Sequence, residues 1–164
     1  MHYVALLRAI NVGGTGKLPM EDLRAMCVGA GFAEVRTYIA SGNVVFESAL
    51  DGAGVARALE TCLATYAGKP VGVMVRDCAE MAAVLAGNPF GTAPGNQVGV
   101  LFGAGPLEVG AVRGQADEQI VGRGREIYVW YPSGMGRSKL RFAAMEGGTM
   151  RNVNTVAKLV EMLG

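Results

Sequence analysis

One histidine in 164 residues, placed at position 2, removes most of the usual acid–base and nucleophilic chemistry. Imidazole is the side chain whose ordinary pKa lies nearest neutrality, so triads and proton relays built on it have little to draw on. Cys27, Cys62 and Cys78 are odd in number and lack the close paired spacing of a zinc site or a disulfide framework, and they read as small core or near-surface residues. No Gly-x-Ser-x-Gly elbow surrounds Ser41, Ser133 or Ser138. Charge excess is also missing: 15 Lys+Arg against 14 Asp+Glu leave a formal net charge of +1, and with it no bulk attraction to nucleic acid or an anionic membrane. No apolar run approaches the ~20 residues that span a bilayer, and the first residues lack a charged-then-apolar leader pattern. A soluble, cytoplasmic protein is expected.

What is present is a core. Hydrophobic residues make up 51% of the chain and charged ones 18%, enough for a single domain over 1–164 and too little for disorder. Tyr3–Leu7 is almost wholly apolar and reads as a buried strand. Pro19 suits the first turn of a helix that carries Met20, Leu23, Cys27 and Ala30 at helical spacing and stops at Gly29 or Gly31. Val35–Ile39 and Val44–Phe46 flank Ser41-Gly42-Asn43, the chemistry of a turn between paired strands. Asp51 can cap a second helix with a stripe of Val55, Leu59, Cys62, Leu63 and Tyr66. Val71–Val75 is a further strand, and Asp77 with Glu80 has capping-box spacing for a short third helix. This order, β-α-β-β-α-β, is ferredoxin-like, within an α+β fold of antiparallel sheets.

Past a Pro- and Gly-bearing connection at Asn88–Asn96, the pattern repeats imperfectly. Val98–Phe102 is a strand, Pro106–Arg113 a short helix or turn, and Gln119–Val121 pairs with Glu126–Trp130. Pro132–Gly136 leads into a helix expected from about Arg137 to Met145, and Val153, Val156, Leu159, Val160 and Leu163 mark a closing amphipathic helix. The second half therefore reads β-α-β-β-α-α. Two subdomains follow, a ferredoxin-like one over about 1–88 and a smaller α/β one over about 95–164 packed against it.

Three blocks carry a family resemblance: Ala5-Leu6-Leu7-Arg8-Ala9-Ile10-Asn11-Val12-Gly13-Gly14, Thr37-Tyr38-Ile39-Ala40-Ser41-Gly42-Asn43-Val44-Val45-Phe46, and Thr149-Met150-Arg151-Asn152-Val153-Asn154-Thr155-Val156. In combination they resemble the domain-of-unknown-function family 1697, from the first strand to the last helix. The family pattern has Gly at position 9 and an aromatic at position 153, where this chain has Ala9 and Val153. The resemblance implies two intertwined subdomains, one ferredoxin-like. It brings no established activity and no catalytic residues.

Polar residues concentrate in four places. The loop Asn11–Lys17 fails the P-loop pattern, which needs Gly where Asn11 stands and Ser or Thr where Leu18 stands. It remains a run of backbone N–H groups beside Lys17 that either cradles an anion or simply connects strand to helix. Ser41 and Asn43 form a hairpin tip or the edge of a site, with Tyr38 and Arg8 close in the expected pairing. Arg137, Ser138 and Lys139 follow a glycine-rich turn at an expected helix start, where cations oppose the dipole and so suggest positive charge gathered for a ligand; solvated residues are the plain alternative. Thr149 or Asn152 can cap the last helix, leaving Arg151 and Asn154 as site edge or solvated face. Arg8, Asn11, Lys17, Tyr38, Ser41, Asn43, Arg137, Ser138, Lys139, Arg151 and Asn154 are thus the candidate binders of a small phosphate- or carboxylate-bearing ligand. No metal constellation and no cofactor motif is visible. A single-stranded RNA module using Tyr38, Arg123, Arg125 and Trp130 is one alternative, disfavoured by the near-neutral charge. A structural or interaction domain is another.

Overall fold

The architecture is that of a computed structural model, which describes residues 1–8, 18–39 and 42–164. Two compact units emerge: residues 1–81 with 161–164, and residues 82–160.

The first unit follows the expected order. Strands β1 (His2–Leu7), β2 (Ala33–Tyr38), β3 (Asn43–Glu47) and β4 (Val73–Asp77) form one antiparallel sheet in the order β2-β3-β1-β4, with helices α1 (Met20–Gly29) and α2 (Gly52–Ala67) between them in sequence. The fold class is α+β. Local chemistry explains each helix end. Pro19 precedes the first turn of α1; at its far end the Gly31 N–H bonds Val28 O and the Phe32 N–H bonds Cys27 O, a Schellman stop. Asp51 Oδ1 accepts from Gly54 N at 2.7 Å and starts α2. Leu23, Cys27, Val55, Leu59 and Leu63 from the helices meet Tyr3, Ala5, Leu7, Val44 and Phe46 from the sheet in one core, where Phe46 stacks on Phe32 with ring centroids 4.4 Å apart. Helix α3 (Cys78–Ala86) opens on a reciprocal capping box: Asp77 N donates to Glu80 Oε1 at 2.9 Å, and Glu80 N to Asp77 Oδ1 at 2.8 Å.

The second unit departs from expectation. Strands β5 (Val98–Phe102), β7 (Gln119–Arg123), β8 (Glu126–Trp130) and β10 (Thr149–Asn152) form an antiparallel sheet ordered β10-β5-β8-β7, while β6 (Val112–Arg113) pairs with β9 (Arg141–Phe142). No helix occupies Pro106–Arg113. That segment is extended and bonded elsewhere: Leu107 N donates to Gly124 O, while Val109 O and Ala111 O accept from Ala144 N and Ala143 N. The helix expected from Arg137 to Met145 is also absent, replaced by 3-10 turns at Met135–Arg137 and Ala143–Glu146 around β9. Leu140 and Phe142 are buried and Arg141 is exposed, a period of two that a short strand satisfies and a helix does not. Thr149–Asn152 likewise alternates buried with half-buried and is a strand, not a helix start. Asn152 still caps α4 (Val153–Leu163), accepting from Thr155 N at 2.9 Å. Among the described residues, no helix is long and apolar enough to cross a membrane.

Candidate functional site

The polar blocks fall into two groups. In the first unit, Arg8, Tyr38 and Asn43 meet at one end of the sheet. Leu6 pairs with Asn43 and Tyr38 with Asn43; Leu7 N donates to Gly42 O, and Arg8 N to Gly72 O, each at 2.9 Å. Gly42, at φ 83, makes the turn that returns the chain into β3. Asn43 is fully buried, and its Nδ2 donates to Tyr38 O at 3.0 Å, so this carboxamide braces the hairpin. Tyr38 is half-buried. Asn11, Lys17 and Ser41 lie outside the described residues.

In the second unit, Arg137, Ser138 and Lys139 line a half-open pocket of about 450 Å³. The argument from cations at a helix start falls away, because no α-helix begins there. The pocket arises otherwise. It is also lined by Gly114, Ala116, Asp117, Glu118, Tyr131, Ser133 and Gly134. Glu118 is the organising group. It is 6% exposed; its Oε2 accepts from the Ser138 hydroxyl and its Oε1 from Ala116 N at 2.6 Å. These donors, Ser138 first, hold its carboxyl below the usual carboxylate range, so it stays ionised at neutral pH. Ser138 Oγ in turn accepts from Leu140 N at 3.1 Å, which fixes the turn, and Ser133 Oγ donates to Asp117 Oδ2 at 2.5 Å. Both acids are therefore bonded to serines that also line the pocket. Arg137 and Lys139 are exposed, and neither forms an ion pair among the described residues. Tyr131 is buried; its hydroxyl donates to Met150 Sδ at 3.4 Å, and burial, reinforced by Glu118, pushes its pKa up to about 12.

Arg151 and Asn154 do not line this pocket. Arg151 sits on β10, 8% exposed, with Nη1 donating to Thr149 Oγ1 at 2.7 Å and to Met150 O at 3.0 Å; burial holds its pKa down at about 10, still cationic at neutral pH. Asn154 is exposed on the first turn of α4, with its side chain over Gly95. Asp117 and Glu118 were not among the residues singled out from sequence. Their only signal was a pair of acids not placed at a helix start.

The sequence of residues 1–128 matches the family described as Protein of unknown function (DUF1697). The chain belongs to that family. The chain is similar in architecture to a solved structure, that of conserved bacterial protein SP0830 from Streptococcus pneumoniae. It is 25% identical to this chain with a TM-score of 0.81, the match covering 99% of this chain and 98% of that one. No curated protein matches this DUF1697 chain.

Proposed function

We propose that this protein is a cytoplasmic small-molecule binder that holds a phosphate- or carboxylate-bearing ligand in the pocket of the second unit. One observation supports this above others: Arg137 and Lys139 line a cavity of about 450 Å³ and have no ion-pair partner among the described residues, while the acids lining the same cavity are bonded to serines. The volume falls in the range of small-ligand sites, roughly 300–1,000 Å³. Arg137 supplies planar paired donors and Lys139 a point charge, both suited to an oxyanion. Asp117 and Glu118 narrow the choice. They repel a long polyanion and favour a compact ligand with hydrogen-bond donors beside its anionic group. The free thiols of Cys27, Cys62 and Cys78 accord with a reducing compartment.

A nucleic-acid platform finds less support. Tyr128 and Tyr131 are buried, and their hydroxyls donate to Val84 O at 2.6 Å and to Met150 Sδ, while Trp130 packs beside Phe90. Thermal-shift titration with inorganic phosphate, nucleoside monophosphates and small dicarboxylates tests the proposal. At least one ligand class is expected to raise the melting temperature, and Arg137→Ala with Lys139→Ala should abolish the rise. Absence of any shift, or a shift that survives both substitutions, overturns it.

A further inference from the structure

We propose that His2, Glu34 and Glu47 form a binding site for one divalent transition-metal ion, in the first unit and independent of the pocket above. Three separated positions are brought together by strand pairing. His2 opens β1 and lies directly across from Glu47 of β3, so their side chains share one face of the sheet. Glu34 reaches the same place through an irregularity: Ala33 pairs with Glu47, the register then shifts before Arg36, and Glu34 itself adopts φ 52. Such a conformation is uncommon for a residue with a side chain. In consequence His2 Nε2 stands 4.0 Å from Glu34 Oε2 and 3.9 Å from Glu47 Oε2, and the three candidate ligand atoms all lie within 4.8 Å of one another.

The chemistry of this set selects the occupant. One imidazole nitrogen and two carboxylate oxygens are the borderline-to-hard donors taken by Zn²⁺, Mn²⁺, Co²⁺ or Fe²⁺. Two carboxylates balance the ion's charge while the imidazole binds neutral. Ligand atoms around tetrahedral zinc lie about 3.3 Å apart, given bonds of about 2.0–2.2 Å. From His2 the spacings of 4.0 and 3.9 Å close by well under an ångström, and the Glu34–Glu47 spacing, within 4.8 Å, by at most about 1.5 Å, changes within reach of side chains that are 46%, 71% and 45% exposed. Three protein ligands leave at least one position to water or to a ligand atom from solution. Sequence reading passed over the group because positions 2, 34 and 47 follow no local spacing and only the antiparallel register makes them neighbours.

Untagged protein titrated with Mn²⁺, followed by electron paramagnetic resonance, and with Zn²⁺, followed by calorimetry, gives the test. One saturable ion per chain is expected, weakened at least tenfold by His2→Ala and by Glu34→Gln, and lost in Glu34→Gln/Glu47→Gln. Circular dichroism should show these surface variants folded. The proposal is overturned if no saturable binding occurs to 1:1 stoichiometry, or if the variants bind as the parent does. Zinc binding that persists in His2→Ala and disappears when thiols are blocked overturns it as well, by locating the ion on cysteine.

Discussion

The two sheets of this protein are alike in strand number and direction and unlike in what covers them. The first is closed by α1 and α2, whose apolar stripes meet Tyr3, Leu7, Val44 and Phe46. One face of the second is closed by extended chain and 3-10 turns: Leu107, Val109, Leu140, Phe142 and Met145 cover Leu101, Ile127 and Val129. A helix satisfies its own backbone, so it needs only a periodic apolar face to be placed. Extended chain must find partners outside itself, and here they are other loops and the side chains of Ser138 and Glu118. The polar pocket is a product of that second way of closing a core. Regular packing in the first unit leaves its polar chemistry to the strand ends.

Three substitutions or conditions would sharpen or break this contrast. The largest effect is expected from Phe46→Ala, which removes a fully buried ring stacked on Phe32. It should cost about 3–5 kcal/mol in urea denaturation; a cost below about 1 kcal/mol would mean that the first core is as adaptable as loop packing. Gly114→Ala probes the pocket wall. Gly114 has φ +70, and an added Cβ would lie 2.2 Å from Lys139 O. Strain of this kind costs about 1–3 kcal/mol, and the loop should shift enough to weaken any ligand held by Arg137 and Lys139. Unchanged stability and binding would show that Gly114 does not support the wall. The smallest effect is alkaline. Burial raises the pKa of Cys27 in the first unit from 9.0 to about 12, and that of Tyr131 in the second from 10.0 to about 12. A raised folded pKa gives stability that is complete below the unfolded value and lost as pH climbs through the folded one. Stability should therefore decline from about pH 9 on account of Cys27 and from about pH 10 on account of Tyr131. Cys27→Ala should flatten the earlier slope and Tyr131→Phe the later one. Identical pH profiles in parent and variants would deny that these groups are held un-ionised in the fold.

How far the sequence revealed the structure follows the same division. In the first unit, Asp51 as cap, the Asp77–Glu80 box and the stripe of Val55, Leu59 and Leu63 act as their spacing implied. These are local signals, complete within about one to four residues. In the second, Arg137–Met145 carries helix-forming residues, yet Arg141 and Phe142 pair with Arg113 and Val112 of β6. Pairing across almost thirty residues overrode local preference there, and propensity has no view of such contacts. The candidate site divides likewise. Arg137, Ser138 and Lys139 were legible because they stand together; Asp117 and Glu118 were not, since only folding brings them opposite those serines.

Residues 161–164 belong to the first unit, and Arg36 of β2 donates from Nη2 to Met162 O at 2.5 Å. On the ribosome this arrangement separates two events in time. Residues 1–81 emerge early, but the segment that completes their unit follows about 80 residues later, roughly 4–16 s at ordinary elongation rates of about 5–20 residues per second. For that interval the residues of the first sheet lack the final segment of their unit, and the guanidinium of Arg36 lacks the carbonyl that accepts from it in the finished fold. Completion of the unit that starts the chain is thus timed by synthesis of the whole second unit.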